Sequence, residues 1–459
     1  MRLADLASRR VAVWGYGREG RAALAALRAR LPALAVTVFC SDTEAEALRR
    51  ARDTYGSARP LAVTTPPDAA ALSAFDVVIK SPGISAYRPE VLEAQHNGTL
   101  FTSGTALWFA ENPQARVIAV TGTKGKSTVS ALIAHLLRSL GRRTALAGNI
   151  GLPLLELLDP PEPPAWWVIE LSSFQTRAAP RVDIGVIVNL HEEHLDWHGT
   201  RERYRADKLA LAEAALALVV NAAQSELMAC TSAHPRRVTF GSADTWHVRD
   251  GAIFRASQKW LDLDGLPLPG VHNALNVCAA LAAIEAAGEA AAAALPHIAA
   301  FRPLPHRLQV LGERKGMIWI DDSIATTPQA TLEALSSLGN RAMTVLIGGH
   351  ERGLDWSVFA DRVRQHPPHA IVTMGANGPR IAGVLREAGG GYVLESAGTL
   401  ADAVSAARCL TPAGGTILLS PGAPSFDQFR DYAERGAAFA SLGGFDGETI
   451  GGIPGLGIA

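Results

Sequence analysis

The chain has 459 residues, of which 48% are hydrophobic and 19% charged, the balance of a folded soluble protein too long for one ordinary core and of a length for about three domains. Its formal net charge of −1 supplies no overall attraction to nucleic acid or to an anionic membrane surface. The four cysteines, Cys40, Cys230, Cys278 and Cys409, form no CxxC pair, which argues against a zinc site or a disulfide framework and suits a reducing compartment.

Asp5, Arg9 and Arg10 interrupt the start before an apolar signal region forms, and no run of ~18 apolar residues occurs. The expected location is therefore cytoplasmic, with no nucleic-acid or membrane partner. Residues 10–14 predict a short buried strand. Gly15-Tyr16-Gly17-Arg18-Glu19-Gly20 follows and opens a helix expected over residues 21–31, with a second strand at 35–39 and Asp42 beyond. A G-x-G-x-x-G in that setting fits a Rossmann-type unit, whose ligand is a dinucleotide or a nucleotide-sugar diphosphate over the helix N-terminus. A third strand, residues 76–80, ends in Ser81-Pro82-Gly83, which reads equally as a phosphate contact and as an ordinary turn. Residues 107–115 read as a connection, with Pro113 limiting helix.

Val117-Ile118-Ala119-Val120 predicts a buried strand, followed by Thr121-Gly122-Thr123-Lys124-Gly125-Lys126-Ser127-Thr128, with a helix expected from Ser127 to about residue 140. Such a loop wraps phosphates: glycines admit backbone N–H groups, a lysine adds charge and a hydroxyl holds Mg²⁺. Only Thr123 and Lys124 separate the two glycines, a spacing shorter than the usual G-x-x-x-x-G-K-[ST]. The strand at residues 166–170 ends in Glu170, placed to bind Mg²⁺ opposite a phosphate loop. The strand at residues 182–189 delivers His191, Glu192, Glu193, His194 and Asp196, with the composition of a metal or phosphate site or of a solvated loop. Lys208 lies on a helix, where a lone lysine is usually a surface residue. Asn273 and Asn276 share a helical face, placed to reach one base or ribose or else to be solvated at a helix start.

Strands at residues 317–320, 343–347, 370–374 and 416–419 end in Asp321-Asp322-Ser323, Gly348-Gly349 and Ser420-Pro421-Gly422, and ligand groups collect at such carboxyl ends. The glycine-rich tail, residues 443–459, is expected to be loosely held.

In order, Gly122-Thr123-Lys124-Gly125-Lys126-Ser127, Glu170-Leu171-Ser172-Ser173-Phe174-Gln175, Asn189 with His194 and Asp196, residues 270–276, Pro305-His306-Arg307 and Leu419-Ser420-Pro421 resemble the motifs of the Mur ligase family over nearly the whole chain. Ser425-Phe426-Asp427-Gln428-Phe429 and Glu434-Arg435-Gly436 are similar to the carboxyl end of its glutamate-adding member. The resemblance implies a three-domain α/β architecture: a Rossmann-like UDP-sugar domain at 1–106, a P-loop ATP domain at 107–303 and a Rossmann-like glutamate domain at 304–459. It implies an ATP-dependent amide ligase of peptidoglycan precursor synthesis that joins UDP-N-acetylmuramoyl-L-alanine to glutamate through an acyl phosphate.

The residue roles it implies are these. Gly122 to Thr128, with Lys126 as the principal charge, Asn273, Arg307 and Asp322 contact ATP. Ser127 and Glu170 hold one Mg²⁺, and His194 with a carbamylated Lys208 holds a second. Gly15, Tyr16, Ser81 and Gly83 lie along the UDP moiety, and Asn149, Ser172 and Gln175 near the muramoyl-alanyl part. Thr326, Arg352, Ser425 and Phe429 receive glutamate. The protein is expected to be a monomer. One departure bears on stereochemistry. D-glutamate-adding members carry a lysine after Asp-Ser, whereas Asp322-Ser323 is followed here by Ile324, and Arg352 stands near the usual downstream lysine. Loss of that charge partner favours the branch that adds L-glutamate, with a separate epimerase acting later; D-glutamate and a folylpolyglutamate synthase-like reaction are the alternatives. A nicotinamide oxidoreductase built on residues 15–20, or a non-catalytic nucleotide binder, leaves the later motifs unexplained.

Overall fold

The computed structural model describes residues 1–51, 60–191, 195–268, 270–339, 342–447, 451–453 and 455–459. Three sheets organise the chain. Residues 1–266, 272–301 and 455–459 form one compact unit and residues 267–271 and 302–454 a second.

The first sheet is five-stranded and parallel. Val11–Trp14 lies at its centre, flanked by Val36–Phe39 and then Leu61–Val63 on one side, and by Val77–Lys80 and then Leu100–Thr102 on the other. Leu61–Val63 was not anticipated; it is short and half-exposed, so its apolar signal is weak. The first helix spans Arg18–Arg30 and begins three residues earlier than the glycine pattern suggests, with Gly20 inside it. A side chain at Gly20 would sit 1.9 Å from the Gly15 carbonyl oxygen, so close packing of helix on strand accounts for that glycine.

The expected connection at 107–115 is a correction: Gly104–Glu111 is a helix, capped by the Ser103 hydroxyl accepting from the Ala106 N–H, and Pro113 falls after its end. This helix buries Leu107, Trp108 and Phe109. Trp108 meets Trp167 of the second sheet with ring centroids 4.6 Å apart. One apolar cluster therefore runs from Leu3 and Leu24 through Trp108 to Ile169 and Leu218, which explains why the first two sheets share a unit.

The second sheet has ten strands. Its parallel centre places Val117–Thr121 between Val182–Ile187 and Trp166–Glu170, all buried along their length apart from Asp183. Burial on both faces explains their unbroken Val/Ile runs. The tail departs from expectation. Gly457–Ile458 pairs antiparallel with Thr144–Gly148 as an edge strand, and Arg138 donates to the carbonyls of Gly455 and Gly457.

The third sheet, in the second unit, runs Gln309–Arg314, Met317–Asp321, Thr416–Leu419, Met343–Ile347, Ala370–Thr373 and Val393–Ser396; only the first strand is antiparallel. No helix among the described residues is long and apolar enough to cross a membrane.

Candidate active site

In the first unit the phosphate loop joins Val117–Thr121 to the helix Lys126–Ser139. Gly125 is the N-cap with φ of 79°, a left-handed conformation, and a Cβ there would sit 2.4 Å from the Asn276 amide oxygen. Both demands select glycine. No side chain caps this helix. The first-turn N–H groups of Lys126, Ser127 and Thr128 carry the positive dipole end of the helix, which suits an anion. The N–H groups of Thr123 and Lys124 are already used: both donate to the Asn189 side-chain oxygen, at 2.8 and 2.9 Å, while the Asn189 amide donates to the Lys124 carbonyl at 3.0 Å. Asn189 thus braces the loop on both sides of the Thr123–Lys124 step. The Lys126 ammonium donates to the Thr123 carbonyl at 3.0 Å.

Register sets Glu170 opposite Val120, beside the loop. One Glu170 oxygen accepts from the Asn149 amide at 2.9 Å; the other is buried without a partner among the described residues. A buried carboxylate oxygen with nothing to bind is what a cation ligand looks like before its cation arrives. Ser127, at the helix start, offers a hydroxyl, so the donor set on this side fits Mg²⁺. His194, expected to hold a second ion, lies outside the described residues, as do Glu192 and Glu193. Among the described residues no group of three or more His, Cys, Asp or Glu is close enough to form a ready-made cation site.

Lys208 is not a surface residue. It is 2% exposed on the helix Arg201–Ala214, and its ammonium donates to the Gly122 carbonyl at 2.6 Å, bringing it to the phosphate loop from a position 86 residues on. Asn273 and Asn276 are buried and joined by a 3.2 Å hydrogen bond, with Asn276 turned toward Gly125.

At the first sheet, Gly15 and Ser81 follow adjacent strands, and the Ser81 hydroxyl donates to the Gly15 carbonyl. The ring of Tyr16 is 1% exposed, in the core, and its N–H donates to the Glu44 carboxylate at 3.1 Å. The Tyr16 side chain is therefore part of the core of the first sheet. Gly83 is exposed. Ser172 is partly exposed. Gln175 is buried instead, its oxygen accepting from the Ser172 hydroxyl at 2.8 Å and its amide donating to Thr105 at 3.2 Å. Its polar groups tie the loop to the helix Gly104–Glu111.

The second unit builds its site at the carboxyl ends of the third sheet. Asp321 and Asp322 end one strand. His306 Nδ1 lies 2.6 Å from Asp321 Oδ2, with no described partner for Nε2. Asp322 accepts from the Ser420 hydroxyl at 2.7 Å and from the Leu308 N–H at 3.1 Å. Burial pushes its carboxyl up to about 7, against the Ser420 hydroxyl and the Arg307 charge, which pull it down. The Arg307 Nε is buried without a partner among the described residues, and the flanking His306 and Leu308 have positive φ, so a strained turn aims that arginine.

Ser425 Oγ is likewise buried and unpartnered among the described residues. Thr326 is partly exposed and Arg352 exposed, while Phe429 packs against the core cluster around Leu400 and Phe439. The open ring of that loop is Phe426, which is 66% exposed. Neither its exposure nor the Tyr87–Asp207 contact described below had a sequence signal; Asn189 had one, as a polar residue just past a buried strand.

The family model described as the Mur ligase middle domain matches residues 120–284. The UDP-N-acetylmuramoyl-L-alanine–L-glutamate ligase of Xanthomonas euvesicatoria is 49% identical to this chain over an alignment of 472 residues covering all of both. The ligase of the same name from Salinispora tropica is 39% identical, covering 96% of this chain and 98% of its own. Among solved structures, the UDP-N-acetylmuramate–alanine ligase of Thermotoga maritima matches with a TM-score of 0.61 at 20% identity, over 94% of this chain and 98% of its own. The MurF ligase of that organism, in complex with ADP, matches with a TM-score of 0.60 at 15% identity, over 97% and 99%. At such identities the structures speak for the fold, the three-domain α/β architecture. The full-length relatives speak for descent, and by them the chain belongs to the Mur ligase family.

Proposed function

We propose that this protein is an ATP-dependent ligase that joins L-glutamate to UDP-N-acetylmuramoyl-L-alanine in peptidoglycan precursor synthesis. The observation that carries the reaction type is the helix start at Lys126 beside Glu170, whose second oxygen has no partner among the described residues. The full-length relatives bearing the L-glutamate ligase name support the substrates.

In this reading residues 1–106 bind the UDP-sugar, 107–303 bind ATP and 304–459 bind glutamate. Gly15, the Tyr16 backbone, Ser81 and Gly83 lie along the UDP moiety. Asn149 and Ser172 face the muramoyl-alanyl part, with Gln175 holding Ser172 in place. The N–H groups of residues 125–128 and the Lys126 ammonium hold the ATP phosphates, while Asn273, Arg307 and Asp322 hold the rest of the nucleotide. The alanyl carboxylate attacks the γ-phosphorus and ADP leaves. The glutamate amine, having lost a proton, then attacks the acyl carbon, and phosphate leaves with its bonding pair. Carboxylate and γ-phosphate repel, and bound Mg²⁺ offsets that repulsion. Ser127 and Glu170 would hold one ion, and His194 with a carbamylated Lys208 a second. Thr326, Arg352, Ser425 and Phe429, with the exposed Phe426, form the glutamate side. The enzyme acts as a cytoplasmic monomer, and a separate epimerase later inverts the residue.

Ile324 supports L-glutamate, since it offers no charge where the D-glutamate-adding pattern has lysine. With UDP-N-acetylmuramoyl-L-alanine and ATP, phosphate release is expected to be faster with L-glutamate than with D-glutamate. A clear D preference overturns the stereochemical assignment. Lys126→Ala is expected to lower turnover by about 10³-fold with UDP-substrate binding retained; near-normal turnover removes the ATP-site assignment.

A further inference from the structure

Asp207, the residue before Lys208, is the hub of a buried network that the chemistry above does not use. Its carboxylate is 3% exposed yet has three partners. The Tyr87 hydroxyl lies 2.8 and 2.9 Å from its two oxygens, His198 Nδ1 2.7 Å from one, and Arg177 Nε donates to the other. The Thr176 hydroxyl donates to its backbone carbonyl at 2.6 Å. His198 Nε2 in turn lies 3.0 Å from the Ser173 hydroxyl. Serine, histidine and aspartate in line have the geometry of a nucleophile with its base. Here, however, His198 is 0% and Ser173 5% exposed, which leaves no room for an acyl group. The chain is a brace.

The brace joins four segments: the helix that carries Lys208, the loop that carries Ser172, the short helix Leu195–His198, and, through Tyr87, the loop that follows Val77–Lys80 of the first sheet. That last loop begins with Ser81-Pro82-Gly83. It is fastened at two further points, the Ser85 hydroxyl on the Trp197 carbonyl at 2.5 Å and the Trp197 indole N–H on the Pro82 carbonyl at 3.0 Å. Trp197 also stacks on Phe174 with centroids 4.5 Å apart, and the Lys80 ammonium lies 5.6 Å over the Trp197 ring. From Asp207 the path runs one residue along the helix to Lys208, and from its ammonium to the Gly122 carbonyl of the phosphate loop.

We propose that Tyr87 and Asp207 are positioning residues that link the UDP-sugar side of the first sheet to Lys208 and the phosphate loop, so that occupancy of one side sets the geometry of the other. The proposal rests on the reading of Lys208 as a residue of the reaction site. Its physical basis is that a buried, fully bonded carboxylate has one arrangement, so a shift of residues 81–87 is carried to the helix.

Tyr87→Phe keeps the ring and deletes one hydroxyl. Binding of β,γ-methylene-ATP with Mg²⁺ to the full chain is measured with and without UDP-N-acetylmuramoyl-L-alanine. In the parent protein each ligand is expected to raise the other's affinity, by reciprocal linkage. In Tyr87→Phe that coupling factor is expected to fall about fivefold, the worth of one hydrogen bond, while each ligand alone binds within about twofold of the parent. Asp207→Asn is expected to lower the coupling further and to reduce the ¹³C-carbonate-derived carbamate signal of Lys208. The double variant is expected to be no worse than Asp207→Asn. Absence of coupling in the parent, intact coupling in Tyr87→Phe, or equal loss of both separate affinities overturns the proposal. Failure of the underlying reading is seen separately, as a Lys208→Ala variant that turns over normally.

Discussion

Two buried histidine–aspartate pairs of nearly equal length have different surroundings. His198–Asp207, at 2.7 Å, is complete: both imidazole nitrogens and both carboxylate oxygens have partners. His306–Asp321, at 2.6 Å, sits among open ends, with His306 Nε2, Arg307 Nε, Ser425 Oγ and Arg435 NH1 all buried without partners among the described residues. Leaving such groups unbonded costs free energy, so a cluster of them at the carboxyl end of a parallel sheet marks a candidate ligand site. The complete network is a scaffold, whereas the second offers polar groups for the nucleotide and glutamate contacts proposed above.

That distinction is open to test from both sides. His198→Ala should cost stability, because it removes a partner from a buried carboxylate; about 3 kcal/mol is expected, since Tyr87 and Arg177 remain. Thermal or urea unfolding measures it, and a variant as stable as the parent would mean that the network carries no structural weight.

Asp322→Asn should have a smaller effect, of opposite sign and dependent on pH. The native carboxyl titrates at about 7, against 3.8 for an unperturbed aspartate, so between those values the folded protein binds more protons than the unfolded chain. Stability therefore falls as pH rises through that window, and the loss is complete above the upper value. Without ligands, Asp322→Asn should be more stable than the parent by ~2 kcal/mol near pH 8, with the difference shrinking toward pH 5. Parallel pH profiles of the two proteins would contradict this.

Ser425→Ala should show the smallest effect on the fold. Its hydroxyl has no partner to lose, so stability should change by less than ~0.5 kcal/mol, whereas the KM for L-glutamate should rise about fivefold. A stability loss without a change in KM would move Ser425 from the incomplete site to the scaffold.

The residues that were legible in sequence are those whose chemistry is local. The phosphate loop announces itself because strand, glycines, lysine and hydroxyl are consecutive, and the helix at Lys126 begins within one residue of expectation. Glu170 was placed by the buried strand that ends on it. What local reading did not show concerns partners distant in sequence. Tyr16 belongs to a motif, but its ring packs among Leu24, Val38 and other apolar residues of the core. Gln175 belongs to a motif, but Thr105, 70 residues earlier, takes its amide. The tail from Gly443 has a composition that predicts looseness, yet its final residues find a free sheet edge and the Arg138 guanidinium.

Alone, then, the order of residues determined the α/β class, the nucleotide loop and its likeness to an ATP-driven ligase, because periodicity and short-range spacing are properties of neighbours along the chain. Only the tertiary structure decided that Lys208 is buried against Gly122, that Asn189 braces the loop, and that Tyr87 reaches Asp207 across 120 residues. Those contacts exist because folding stacks two sheets on one core and brings together groups that no spacing rule relates.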